Sequence, residues 1–488
     1  MTTLTSLARA EAVGAGVAAP IATVRHAHLH GRPLVVVPLI MAGEANAPLA
    51  VLVGDDRDTP RLLVVPNPRN RDMRFEFAAA FGEIVLAYID SFASRTEETR
   101  KGKESRLRYA DAPQVLLPNA GGIGFMRLFG RSTRFRKTEG EYAVKPVVPL
   151  LGRWLTFLGE RAEYPGASML LAATDLLAMH WATGQSATED GNLAALLGWI
   201  APPEGQTGAQ AAADAEDPLR WPPAGPATDP TFDNEVLARL IETGNTQQMT
   251  RALEGQLRPT WELMWHAIDL LRRLPEGASV GRRWDDDKDA YTDYLTYMRD
   301  GGLPQPRRDN AVTAAQRLQR LENAQLKYAA QRALDDPLVF AEYRMTGEAF
   351  AGTVTAADAT RTVPNPSGRR VLRPVIVVTT SDPVKLEQNT KVVAVGRPKQ
   401  NATICEINPT DTGTEIRLEL TNGMGRSLTP EPGSVPEVGD WLAYTSFTAE
   451  FRPGGEFPSR EETPWTHGGP PAAHDYQPTE DDAREVWE

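Results

Sequence analysis

The sequence predicts a multidomain α+β chain: an N-terminal β-β-β-α-β unit, a helical middle region, a C-terminal small β-barrel or sandwich, and a disordered acidic tail. Three observations carry this reading. Short apolar runs broken by turn residues open the chain, helical periodicity dominates its centre, and six strand-like runs spaced by turns close it.

Residues 1–20 are Ala-rich and polar, with little to bury, and are expected to be flexible. The α+β domain is placed at 21–148. Its runs "PLVVVPLI" (33–40), "APLAVLV" (47–53) and "RLLVVP" (61–66) are separated by "MAGEAN" and "GDDRDT", so an antiparallel three-strand meander is the natural reading. From Asp72 the period changes, and Phe77, Phe81, Ile84, Val85, Tyr88 and Phe92 fall on one helical face. "QVLLP" (114–118) reads as a fourth strand.

A helical segment is expected over 149–200, with "GASMLLAATDLLAMHWAT" and "GNLAALLGWI" apolar enough for a core. Pro, Ala and Gly dominate 201–230, which reads as a linker, and helical signals resume over 231–344. The runs of 345–452, from "GEAFAGTVTAAD" to "DWLAYTSF", give the barrel-like domain. The tail at 453–488 has few apolar residues and a balance of two arginines against nine acids, the composition of disorder.

Of the 488 residues, 41% are apolar and 24% charged, ordinary values for a globular chain. The net charge of −12 argues against nucleic-acid binding by the whole surface and leaves room only for a local basic face. The single cysteine, Cys405, lies in the apolar run "ATICEI" and reads as a buried, inert thiol. With no secretory signal and no run near 18 apolar residues, the expected location is cytoplasmic, without membrane association. The abundance of Ala, Arg, Gly and Pro points to a GC-rich bacterial genome.

The Gly-rich stretch "GGIGFMRLFGRST" (121–133) follows a strand, as a phosphate-binding loop would, but its spacing and chemistry fail. Five residues separate Gly124 from Gly130, and Arg131 stands where that loop needs a lysine. It reads instead as a tight turn before a short helix carrying Phe125, Leu128 and Phe129, capped by Gly130. "DDDKD" (285–289) opens like a calcium loop but puts Ala290 where Gly is required and Thr296 where Glu is required. Acids at a helix N-terminus explain it better. The first domain shares its element order with metal-dependent nucleases, yet the two carboxylates and lysine of that chemistry cannot be assembled. Serine-hydrolase chemistry lacks its Gly-x-Ser-x-Gly elbow. His180 and Trp261, Trp265 and His266 read as core positions.

Two constellations remain. Eleven basic residues between Arg95 and Lys137 face four acids, a balance of +7. Arg100, Lys101, Lys103, Arg106, Arg108, Arg127, Arg131, Arg134, Arg136 and Lys137 are the expected contacts to a phosphate backbone. Phe125, Phe129 and Phe135 lie among them, either as a stacking surface or as ordinary core. In "HAHLH", an extended segment would place His26, His28 and His30 on one side, a donor set for a divalent metal. The function expected first is a non-catalytic interaction or accessory protein with a protein partner. It would contact nucleic acid through 95–137, with the acidic tail as modulator, and no cofactor follows from any motif. The alternative is a metal-dependent enzyme built on the three histidines.

Overall fold

The computed structural model describes residues 3–44, 47–101, 104–217, 221–222, 225–309 and 311–447, and the expected acidic tail at 453–488 lies outside them. The fold is mixed α+β. The chain divides into two compact units, one from Thr5 to Ala324 and one beginning at Gln325.

In the first unit, α1 (Thr3–Ala15) and the two-residue β1 (Ala19–Pro20) precede β2 (Leu34–Ile40), β3 (Pro48–Gly54) and β4 (Arg61–Val64). These three strands form the expected antiparallel meander. Then come α2 (Arg71–Ser91), the hairpin β5 (Thr96–Lys101) and β6 (Glu104–Tyr109), and β7 (Val115–Leu117). The Asn70 side chain caps α2, accepting from the Asp72 and Met73 N–H groups. β7 lies beside β2 and parallel to it, and a fifth strand, β8 (Leu170–Ala172), lies parallel to β7, giving the order β4-β3-β2-β7-β8.

Both faces of this sheet are covered, which is why β2 and β3 read as continuous apolar runs rather than alternating ones. Leu34, Val36, Val51, Val53, Val115 and Leu117 point into one core with α2, α3 (Ala120–Thr133) and α4 (Val147–Arg161). Val35, Val37, Leu39, Leu49, Leu52 and Leu116 point into the other. There they meet α5 (Ala173–Ala178) and, after the two-residue β9 (Trp181–Ala182), α6 (Leu193–Ile200). The stretch 166–183, expected to be helical, instead contains β8, a short helix and β9. Its Leu170 and Leu171 alternate between the two faces as a strand requires.

The segment 201–230 contains α7 (Gly208–Ala215), closed by a Thr207–Gln210 capping box that composition alone obscures. A Cβ at Gly208 would sit 2.5 Å from the Trp199 ring, so glycine lets α7 lie against α6. Further along, the Ile40 N–H donates to the Pro226 carbonyl and the Thr228 N–H to that of Ile40. The N-terminal stretch expected to be flexible packs in its described part as well: Ala12, Ala18 and Ala19 are buried with Trp199, Ala212 and Ala215. An alanine face of low hydropathy suffices because its neighbours are small enough for close approach.

A short helical run follows, α8 (Pro230–Phe232), a π-helical turn over Asp233–Leu237 and α9 (Ala238–Thr243). The long α10 (Thr246–Arg272) covers the second sheet face with Trp261 and Trp265 in the core, while His266 is half-buried. α11 (Val280–Arg299) adds Trp284, Tyr291 and Leu295 to the first core. Since α11 begins at Val280, the "DDDKD" acids lie one turn in rather than at its start.

α12 (Ala311–Asp335) carries the chain into the second unit, where α13 (Pro337–Thr346) precedes a six-stranded closed barrel. The barrel joins β10 (Ala349–Asp358), β13 (Val375–Thr380), β16 (Gly413–Leu420), β15 (Arg397–Thr410), β14 (Lys391–Ala394) and β17 (Trp441–Thr445) in a ring, all antiparallel. A small ribbon of β11 (Thr362–Pro364) and β12 (Arg370–Leu372) sits between β10 and β13 in sequence. Phe350, Val354, Ile376, Val378, Ile404, Ile416, Leu418 and Tyr444 fill the interior. Cys405 is the residue bulged out between Ile404 and Glu406. The bulge leaves it half-buried rather than buried, and desolvation still pushes its thiol pKa up.

Helices α3 and α4 cross in close contact. A Cβ at Gly130 would lie 2.9 Å from the Thr156 backbone nitrogen, and one at Gly152 only 2.3 Å from that of Arg134. Gly130 is thus not a terminal cap but an interior position of α3, which continues to Thr133. At Gly159 a Cβ would meet only the flexible Arg127 side chain, 2.6 Å from its Cγ. Gly152→Ala should therefore destabilise the chain by about 1–3 kcal/mol through backbone overpacking. Gly159→Ala should be milder, because the Arg127 methylene stem can shift while its guanidinium stays paired with Glu163, and helix propensity improves by up to ~1 kcal/mol. Urea unfolding of the two variants checks this; equal midpoints would mean the helices are not in backbone contact.

Candidate anion-binding site

The basic block separates into three groups in space. The first is the β5–β6 hairpin, a pair that apolar periodicity does not predict because nearly every side chain in it is charged or polar. Arg100 is exposed on β5, Lys101 ends that strand in register with Glu104, and Lys103 lies outside the described residues. Arg106 and Arg108 turn onto α11. Arg106 pairs with Asp289 at 2.6 Å and Asp293 at 2.9 Å. Arg108 is buried and pairs with Glu97 at 2.8 Å and Asp285 at 2.7 Å, and Lys288 bridges the same two acids at 2.9 and 2.8 Å. These acids pull the Arg108 and Lys288 pKa values further up, against the desolvation that opposes them. The "DDDKD" acids therefore serve to dock the hairpin, and the two arginines are spent inside the molecule.

The second group forms a cavity. Arg127 and Arg131 project from α3 at one-turn spacing, with Arg134 at its C-cap. Because α3 touches α4, they meet Thr156 and Glu160 of α4, and Arg307, Asp309 and Arg317 close the cavity from the loop after α11 and the first turns of α12. Its volume is about 160 Å³. Arg134 is buried and held by two carbonyls: its Nε donates to Gln305 at 2.9 Å and its Nη2 to Pro306 at 3.4 Å. Glu163 pairs with both Arg127 and Arg317, and Arg317 also reaches Asp309 at 3.5 Å. Arg131 is exposed, and its guanidinium makes no ion pair or hydrogen bond among the described residues.

Five arginines against Glu160 and Asp309 leave a lining charge of +3, reduced to +2 when Glu163 is counted. The C-terminal end of α3 contributes about half a negative charge, too little to reverse the sign. Glu160 sits in the wall of this cavity, and burial pushes its carboxyl pKa up, opposed by Arg317 and Arg134.

The third group lies on the other side of the α3 C-terminal turn. Arg71, Arg74 and Arg136 line a second concavity of about 180 Å³ with Phe75 and Phe129. The guanidiniums of Arg71 and Arg136 stand 4.8 and 5.1 Å from the Phe75 ring centroid. Lys137 is exposed beyond them. Phe125 and Phe129 stack on each other in the core, 5.5 Å apart, and offer no stacking platform; Phe135 packs under Arg134 at 4.6 Å.

Neither a family model, a curated protein nor a solved structure matches this chain. The chemistry of the site rests on its own residues. Arg71, Arg74, Arg307, Arg317 and Glu160 were invisible as site residues in sequence, since only the fold brings them to α3.

The histidines occupy an irregular strap rather than a strand, and they face different partners. His26 is fully buried, its N–H donating to His180 Nε2 at 3.1 Å with the two rings stacked at 5.7 Å. His28 stacks on Trp284 at 4.1 Å and approaches Glu276 at 3.7 Å. His30 accepts the Arg32 N–H at Nδ1, which places its proton on Nε2, 3.0 Å from Asp111 Oδ2. Among the described residues no three His, Cys, Asp or Glu side chains gather as a metal-ligand set. The strap is anchored by Gln114, whose Nε2 donates to the His28 and Ser168 carbonyls at 2.9 and 2.7 Å, and by the Ser168 hydroxyl, which accepts the His28 N–H at 3.1 Å; the Ser168 N–H in turn donates to buried Asp287 at 2.6 Å.

Burial pushes the His28 imidazole from its ordinary 6.5 to about 4, against the pull of Glu276. The unfolded chain therefore binds a proton that the folded chain refuses between those values. Stability that is full above pH 6.5 is lost as the pH falls toward 4. His28→Phe, which keeps a ring on Trp284, should lose about 1–3 kcal/mol less than the parent chain over that interval. Urea unfolding of both proteins at the two ends of the window checks it; parallel pH profiles would show that His28 does not titrate on unfolding.

Proposed function

We propose that this chain is a non-catalytic accessory protein that binds nucleic acid along the face carrying the C-terminal turn of α3. The carrying observation is the pair of arginine-lined concavities flanking that turn, one with Arg127, Arg131, Arg134, Arg307 and Arg317, the other with Arg71, Arg74 and Arg136. Arginine forks suit phosphate oxygens, and two such hollows on either side of one turn offer successive footholds for a phosphate backbone. The net charge of −12 confines that attraction to this face. The Arg106 and Arg108 side chains, neutralised by α11, contribute little to it.

The acidic stretch 453–488, with its balance of −7, acts in this reading as a competitor for the basic face, and a cytoplasmic setting accords with the single cysteine. Fluorescence anisotropy with single- and double-stranded DNA and RNA over a range of salt tests the reading. Binding should weaken on a log–log slope of about −0.7 per phosphate contacted on a single strand, roughly −3 for four contacts. Arg131→Ala and Arg136→Ala should each lower binding across all sequences and reduce that slope by about 0.7, the share of one contact. A chain ending at Arg452 should bind more tightly. No binding at the lowest salt would sink the reading.

A further inference from the structure

The cavity between α3 and α4 has features that a simple backbone track does not need. An internal phosphodiester carries one charge and two ester arms, and a basic surface such as the Arg71, Arg74 and Arg136 hollow serves it well enough. The first cavity instead brings five guanidiniums from α3, the 305–309 loop and α12 around about 160 Å³, a space suited to one tetrahedral group. It also places a carboxyl group, Glu160, in the wall, where a carboxylate would repel any anion.

We infer that this cavity is a receptor for a terminal phosphate monoester, held by Arg127, Arg131 and Arg317, with Glu160 selecting a ligand that shares a proton. The inference rests on the basic-face reading only in offering a nucleic-acid end as one source of that phosphate; a small phosphorylated molecule is the other.

The charge argument comes first. A lining charge of +3 is better matched by a dianion than by a monoanion. Arg131 is the group best placed to engage it, since no acid among the described residues claims it. Arg127 and Arg317 are already tethered by Glu163, which holds their forks in place without adding to the lining. Arg134 faces Glu160 from the C-cap of α3, Arg317 faces it from α12, and Asp309 and Glu163 add negative charge from the loop after α11 and from just beyond the end of α4.

The proton argument comes second. Phosphate monoesters have a second pKa near 6, so near neutral pH a single proton is readily held between a phosphate oxygen and the Glu160 carboxyl. Burial raises the affinity of this carboxyl for a proton, so a proton brought by the ligand and shared with Glu160 turns repulsion into a hydrogen bond. Sulfate, with the same shape and charge but no proton to share near neutrality, meets the carboxylate unrelieved. The cavity should therefore distinguish phosphate from sulfate. Glu160→Gln, which always presents an N–H₂ donor, should erase the distinction.

The experiment is titration calorimetry of the full chain with inorganic phosphate and with sulfate. Alongside it, anisotropy would compare one oligonucleotide bearing a 5′-phosphate with the same oligonucleotide bearing a 5′-hydroxyl. Phosphate should bind at least tenfold more tightly than sulfate, Glu160→Gln should bring the two within a factor of about two, and Arg131→Ala should weaken phosphate at least tenfold. Arg131 is exposed, so its loss should leave folding intact, which far-ultraviolet circular dichroism verifies. A 5′-phosphate preference lost in Arg131→Ala identifies a nucleic-acid end as the source. Phosphate binding without any oligonucleotide binding supports the cavity, identifies a small phosphorylated molecule as the source, and removes the nucleic-acid reading. Oligonucleotides that bind with equal affinity whatever their 5′ group, with phosphate and sulfate indistinguishable, would overturn the receptor while leaving the basic face standing. Absence of all binding would overturn both.

Discussion

Helices α3 and α4 meet backbone to backbone because neither Gly130 nor Gly152 carries a side chain at their crossing. The contact sets the height of everything built above it. Arg127, Arg131 and Arg134 stand on one helix, Thr156 and Glu160 on the other, and the spacing between them is that of two bare helices. A single methyl group at the crossing would push the two rows apart by an appreciable fraction of the cavity's width. The inner faces of both helices are pinned at the same time, with Phe125, Met126 and Phe129 of α3 and Leu151, Leu155 and Leu158 of α4 buried against the sheet. The α3 and α4 walls of the site are thus core elements, and only the 305–309 side is a loop.

Charge is used in two opposite ways within about forty residues of sequence. On the β5–β6 hairpin, Arg106 and Arg108 face Glu97, Asp285, Asp289 and Asp293 at ion-pair distance, and the network docks a segment that has almost no apolar surface of its own. Half-exposed pairs of this kind are individually weak, so the network's worth lies in fixing register as much as in stability. On α3 the acids are fewer than the arginines, and a positive excess remains at the surface. Two stretches of similar composition therefore have different roles. The difference lies in what α11 and α4 present to them.

The strap carrying His26, His28 and His30 shows the same economy. Its backbone N–H groups are taken up one by one by His180, Ser168 and Gln114. Its rings are packed on His180 and Trp284 or bonded to Asp111. A segment without strand partners must satisfy its backbone somewhere, and here side chains do it. The three imidazoles are consumed in that structural work.

Much of the architecture was legible in the chain. The meander, the α2 face from Phe77 to Tyr88 and the six barrel strands all follow from local periodicity, because the burial of one face or both leaves a pattern within a few residues. Small-residue packing was less legible. The alanines of α1 and the capped α7 resemble linker by composition, since close contact between small side chains leaves little hydropathic trace. The basic character of 95–137 was also written in the sequence, as was the presence of Arg127, Arg131, Arg134 and Arg136 within it. What the sequence determined by itself was therefore the inventory: which segments are strands or helices, and where positive charge is concentrated. Only the tertiary structure decided which arginines are neutralised and which are gathered. Arg307 and Arg317 lie more than 150 residues from α3 along the chain, and ion pairing depends on distances across the fold that no local pattern encodes.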